Sequence, residues 1–101
     1  MRILGIDPGY AIVGYGVIET AAGRYRAMEY GAITTCAGED FGLRLLEIHR
    51  GMEEILTRLQ PQAASVEKLY FTNNKTTGIG VAEARGVILL SLAQHGVPLY
   101  E

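Results

Sequence analysis

The sequence predicts a mixed α/β fold, a three-stranded meander followed by helix, strand, helix and strand. Three observations lead there. Short apolar runs bounded by turn residues occupy the first third of the chain. An apolar stripe at alternating spacings of four and three then runs from Phe41 to Leu59. Finally, two short apolar runs end on a carboxylate, Ile3-Leu4-Gly5-Ile6 on Asp7 and Ala63-Ala64-Ser65-Val66 on Glu67.

Each element has a local reason. Arg2 to Ile6 reads as a short buried strand, closed by the turn Asp7-Pro8-Gly9. From Ala11 to Ile18, Gly14 and Gly16 alternate with Tyr15 and Val17, which is strand periodicity with room for a close neighbour on the glycine face. A connection around Ala21-Ala22-Gly23 leads to a third strand, Tyr25 to Thr34, and links this short favour antiparallel neighbours. Asp40 is placed to cap a helix whose apolar face is Phe41, Leu45, Ile48, Met52, Ile55 and Leu59. Gln60 precedes Pro61 and disfavours continuation. Ala63 to Glu67 forms the next strand, Thr72 to Thr77 a polar loop, and Gly78 to Gln94 a helix apolar almost all round. Such a helix lies between other elements or in a subunit interface. Val97 to Tyr100 begins a last strand.

The 101 residues suffice for one domain with one hydrophobic core, and 49% hydrophobic against 20% charged residues is a globular composition. The longest uncharged apolar stretch, Val87 to Ala93, is too short to cross a bilayer. The single cysteine, Cys36, forms no internal disulfide, and with no secretory signal at Met1-Arg2 the expectation is a cytoplasmic protein. A net charge of −2 argues against a generic nucleic-acid binder, but clustered acids can mask a basic face. His49 and His95 lack metal-ligand spacing, and Cys36 has no evident base.

The chemistry concentrates at Asp7 and Glu67. Taken singly, each has an ordinary reading: Asp-Pro-Gly is a common turn, and Glu67-Lys68 a strand-end ion pair. Together they close strands that otherwise exclude charge, and side by side they would supply hard oxygen ligands for Mg²⁺. Such an ion activates water and stabilises the leaving oxygen of a phosphodiester, most effectively as one of two ions about 3.5–4 Å apart. Tyr70-Phe71 opens the polar loop, where one ring can anchor the loop and the other stack on a base. Lys68, Asn73, Asn74, Lys75 and Thr76 are placed to reach phosphates, and Arg85 puts a cation inside an apolar helix.

Gly5-Ile6-Asp7-Pro8-Gly9, Gly14-Tyr15-Gly16-Val17-Ile18, Val66-Glu67-Lys68, Asn73-Asn74-Lys75 and Glu83-Ala84-Arg85-Gly86-Val87 together resemble the RuvC family of bacterial Holliday-junction resolvases, from Met1 to Glu101 in order. The resemblance implies a ribonuclease-H-like fold and a homodimer that nicks two symmetry-related strands of a four-way DNA junction. It implies Mg²⁺, or Mn²⁺ in its place, with up to two ions per site, and a branch-migration motor as a further partner. By motif position Asp7 and Glu67 are the catalytic metal ligands, Tyr70 the aromatic near the exchange point, and Lys68, Asn74, Lys75 and Arg85 the DNA contacts. Family members continue into a further helix bearing two more acids. The expectation is therefore a single domain over 1–101, lacking that C-terminal helix and holding metal poorly alone. Two alternatives remain at this stage: a non-catalytic DNA-binding or dimerisation module, and another ribonuclease-H-like nuclease, such as one that processes ribosomal RNA.

Overall fold

A computed structural model describes residues 1–68 and 75–100. Its elements are β1 (Arg2–Asp7), β2 (Ile12–Ala21), β3 (Arg24–Thr34), α1 (Phe41–Leu59), β4 (Ala63–Val66), α2 (Lys75–Gln94) and β5 (Leu99–Tyr100). They form one five-stranded sheet in the order β3-β2-β1-β4-β5. The β1–β2 and β2–β3 pairs are antiparallel, and β4 is parallel to both β1 and β5. The predicted meander and crossovers are therefore what the chain builds.

Strand periodicity decides which face is core. Leu4 and Ile6 of β1 stand level with Val17 and Tyr15 of β2 and with Ala64 and Val66 of β4. Leu4, Val17, Ala64 and Val66 are buried on that face, under Ile48, Met52, Ile55 and Leu56 of α1 and Ala84, Ile88 and Leu92 of α2. Burial of a side chain of this size is worth about 1.5–3 kcal/mol, so this single layer supplies the main stabilisation. On the opposite face, Gly5, Gly16 and Ser65 share a row with Tyr30 and Tyr100, and both tyrosines are exposed.

The boundaries of α1 follow local chemistry. The Asp40 carboxylate accepts from the Leu43 backbone N–H, satisfying one orphan donor of the first turn. At the other end Gln60 adopts a left-handed conformation, φ 47°, before Pro61. Arg2 donates to the Leu59 carbonyl at 2.8 Å, tying the helix terminus to the start of β1. A second fastening joins α1 to β3. Arg58 donates both terminal nitrogens to Glu29, at 2.6 and 2.8 Å, and Nε to Glu54 at 2.8 Å, while the Tyr15 hydroxyl also donates to Glu29. Those donors hold the Glu29 carboxyl at a pKa of about 2, the Arg58 hydrogen bonds contributing most.

Two expectations need correction. The hairpin strands extend past Ile18 and start before Tyr25, because Ala22 and Gly23 both take positive φ, 53° and 76°, and close a two-residue turn. The polar loop is shorter than Thr72 to Thr77, since α2 already begins at Lys75. Thr76, Thr77 and Gly78 are weak helix formers, so the sequence alone argues for a loop there. Packing overrides that preference: a Cβ added at Gly80 would stand 2.9 Å from the Tyr10 ring and 3.4 Å from Phe41, which shows how closely this end of α2 sits on its neighbours.

Candidate active site

Asp7 is the last residue of β1, and Glu67 follows the last residue of β4. The two strands run parallel with Ile6 level with Val66, and the Glu67 N–H donates to the Ile6 carbonyl at 3.0 Å. Parallel pairing sends both chains out at the same sheet edge, so acids sixty residues apart in sequence meet there. The Asp7 carboxyl beside it raises the Glu67 pKa above its ordinary 4.5, chiefly through side-chain hydrogen bonding and then through charge repulsion, with slight desolvation adding to it. Both residues are exposed, so the pair faces solvent rather than a buried counter-charge.

The turn that carries Asp7 is pinned from several sides. A Cβ at residue 9 would collide with the Ile12 carbonyl, so glycine is required there. The Tyr10 ring packs edge-on against Phe41 at 5.6 Å between centroids, and the Arg44 guanidinium carbon lies 5.1 Å from the Tyr10 ring centre. Thr35 donates its hydroxyl to the Tyr10 carbonyl at 2.5 Å and accepts from Arg44 Nε at 2.9 Å. The Thr35 N–H also donates to the Ala11 carbonyl at 3.0 Å. Tyr10, Thr35 and Arg44 were not singled out as site residues from sequence.

The remaining predicted residues fall unevenly. Arg85 Nε donates to the Glu67 carbonyl at 3.4 Å, which brings α2 to the acid pair. Lys68 is exposed directly after Glu67, and Lys75 opens α2. Tyr70 and Asn74, with Phe71 and Asn73, lie outside the described residues. His49 and His95, remote in sequence, both reach Glu53, at 3.5 and 2.7 Å. This cluster joins α1 to the end of α2. Cys36, Glu39 and Glu47 offer ligand atoms within 4.8 Å of one another; no other trio of His, Cys, Asp and Glu among the described residues does so, and Asp7 and Glu67 are not part of it.

A sequence model of the family described as crossover junction endodeoxyribonuclease RuvC matches residues 3–101. The chain belongs to the RuvC family. The RuvC of Moorella thermoacetica is 52% identical over 101 residues, covering all of this chain and 60% of that protein. The RuvC of Chloroflexus aggregans is 50% identical over 101 residues, with all of this chain and 62% of that one covered. Both relatives carry the name crossover junction endodeoxyribonuclease. Among solved structures, T. thermophilus RuvC in complex with a Holliday junction substrate superposes with a TM-score of 0.91 at 31% identity, covering 99% of this chain and 64% of that one. The RuvC fold is thus present, and the chain spans about 60% of the length of the curated relatives it matches. No helix among the described residues is long and apolar enough to cross a membrane.

Proposed function

We propose that the chain is the N-terminal part of a Mg²⁺-dependent endonuclease that resolves four-way DNA junctions by paired symmetric nicks. The observation that carries this reading is the convergence of Asp7 and Glu67 on one exposed sheet edge, in a chain of the RuvC family. The donor set suits the metal: two carboxylates are hard oxygen ligands of the kind Mg²⁺ or Mn²⁺ takes, and their mutual repulsion is the conflict a divalent cation removes. In this reading Asp7 and Glu67 hold the metal, and further acids from beyond residue 101 complete a site for up to two ions.

When bound, the metal supplies Lewis-acid polarisation of the phosphate and a more acidic water. The chain's own residues prepare for that. Asp7 raises the Glu67 pKa, so a cation held between the two acids competes with a proton for that carboxylate. Arg85, donating to the Glu67 carbonyl, fixes the backbone from which that carboxylate projects. Gly14 stands opposite Asp7, and even an added Cβ there would lie 3.7 Å from the Asp7 Cβ, so a phosphate approaches the acid without meeting a side chain from β2. Lys68, Asn74, Lys75 and Arg85 are assigned to DNA phosphates and Tyr70 to a base near the exchange point.

A homodimer suits a substrate with two equivalent strands. Ile79, 59% exposed, and Leu90, 54% exposed, mark an outer face of α2 that a second copy would cover. A cytoplasmic location and a branch-migration motor as partner complete the proposal and rest on the family likeness.

The test is junction nicking by the whole protein and its Asp7→Asn variant with Mg²⁺. Loss of a metal-bound transition-state contact worth several kcal/mol slows nicking by roughly three orders of magnitude. Equal rates defeat the assignment. Preference for structured RNA over junction DNA would instead favour a ribosomal-RNA-processing nuclease, and metal-independent binding without nicking would favour a non-catalytic module.

A further inference from the structure

Arg44, near the start of α1, is held at two places and leaves the rest of its guanidinium uncommitted. Nε donates to Thr35 Oγ1 at 2.9 Å, and the guanidinium carbon stands 5.1 Å from the Tyr10 ring centre. Among the described residues its two terminal nitrogens donate to no protein group, and neither is buried. The acids close by in sequence are engaged elsewhere. Asp40 accepts from the Leu43 N–H, and the ligand atoms of Glu39 and Glu47 gather with that of Cys36, all within 4.8 Å of one another. Arg58 and Arg2 differ: the first is bound to Glu29 and Glu54, the second to the Leu59 carbonyl and Glu19.

An arginine fastened through Nε and one face of its plane still presents the edge formed by Nη1 and Nη2. That edge is the fork that matches two oxygens of a phosphate. Ordering a long side chain normally opposes binding, and here Thr35 and Tyr10 have already imposed much of that order.

Location sets the ligand. β1 and β3 are each antiparallel to β2, so both leave the sheet at the edge where Asp7 and Glu67 meet. Tyr10 is three residues beyond Asp7, a stretch of at most about 11 Å, and Thr35 directly follows β3. Arg44 touches both, so its guanidinium lies at that edge on the side of α1. Leu4 and Ile6 are buried beneath the helices, and Asp7, next in the alternation, belongs to the open face. The arginine and the acids therefore take different phosphates. A duplex arm brought to this edge offers them, at one charge per about 1.7 Å of its axis.

We propose that Arg44 binds a backbone phosphate of the DNA, apart from the phosphate that Asp7 and Glu67 engage, with Thr35 and Tyr10 holding the guanidinium ready for it. This rests on the reading of the chain as part of a junction nuclease. The contact reads charge and not sequence.

The experiment measures binding of the whole protein to a four-way junction without divalent metal, across a range of salt concentrations. Arg44→Gln weakens binding at low salt about tenfold, the size expected for one charged contact. It also makes the slope of log affinity against log salt shallower by about one, because one fewer counterion is released. Thr35→Val removes the anchor but not the charge, so it lowers affinity and leaves the slope unchanged. A purely structural role for Arg44 predicts a lower Tm with an unaltered slope, and that result overturns the proposal. Junctions carrying a single neutral methylphosphonate locate the contact. Wild type loses affinity at one position where Arg44→Gln loses none, and equal losses by both proteins at every position overturn the proposal. Should Arg44→Gln fail to fold, Arg44→Lys carries the test, since an ammonium lacks the fork. It must reduce the penalty at that same position by about threefold, and an undiminished penalty overturns the proposal. Wild-type protein that ignores junction DNA at every salt concentration defeats the nuclease reading along with this one. Binding that survives with an unchanged slope in Arg44→Gln defeats this one alone.

Discussion

Gly80→Ala puts a methyl group where α2 meets the turn that carries Asp7. The added Cβ would lie 2.9 and 3.0 Å from two Tyr10 ring carbons and 3.4 Å from Phe41 Cζ. Ordinary carbon contacts are about 3.5–4.0 Å, so the ring must move by several tenths of an ångström. It has little freedom to do so, with Phe41 edge-on at 5.6 Å and Arg44 5.1 Å from its centre. Overpacking of this kind costs about 1–3 kcal/mol, while replacing glycine by alanine within a helix returns about 1 kcal/mol. The net loss is therefore up to about 2 kcal/mol, or a fall in Tm of up to about 15 °C at 4–8 °C per kcal/mol. Gly86→Ala is the matched comparison: same helix, same exchange, nothing within 4 Å of the new Cβ. It should raise Tm by about 4–8 °C. Thermal unfolding followed by circular dichroism at several protein concentrations separates folding from association. A Gly80→Ala variant as stabilised as Gly86→Ala would refute the packing argument. Slowed nicking in the folded Gly80→Ala protein would show that the displacement of Tyr10 reaches Asp7.

The pH dependences have opposite signs. Glu67 has its pKa raised above 4.5 by Asp7, so the folded chain holds that proton more tightly than the unfolded one. The pair's contribution to stability therefore declines as pH rises through the raised value. Mg²⁺ affinity rises over the same window, because the metal displaces the proton; isothermal titration from acid to neutral pH reads it, and Asp7→Asn flattens the profile. Glu29 shows the reverse: its pKa is lowered from 4.5 to about 2, so its contribution is complete above 4.5 and lost as pH falls toward 2. Glu29→Gln should remove that part of the acid-unfolding slope, and an unchanged slope would dismiss the Arg58 fastening. Ile88→Ala, at a site with no exposure, should cost about 2–5 kcal/mol in denaturant unfolding through the cavity it leaves.

What the sequence disclosed were features whose causes are local. The four-three stripe of α1, its Asp40 cap and its stop before Pro61 depend on neighbours within a turn or two, and all are present. The juxtaposition of Asp7 and Glu67 was also accessible, because strands that exclude charge until their last residue imply an exposed edge. The hidden parts are non-local. The Tyr10 clamp is assembled from Thr35, Arg44 and Phe41, none of which is marked as a partner by spacing. Likewise His49 and His95 gain a shared carboxylate only because α1 packs on α2. The first turn of α2 was missed for a related reason: weak helix formers there are held by packing that the local sequence does not record.

If Asp7 and Glu67 form the proposed metal site, the arrangement of β1 and β4 also governs when that site can exist. Its two central acids arrive at the ribosome exit sixty residues apart, and they become neighbours only after a helix has folded between them and the parallel ladder has closed. A nascent or locally melted chain holds one carboxylate without the other. On the proposed reading, cutting is thereby withheld from every species that has not completed its sheet.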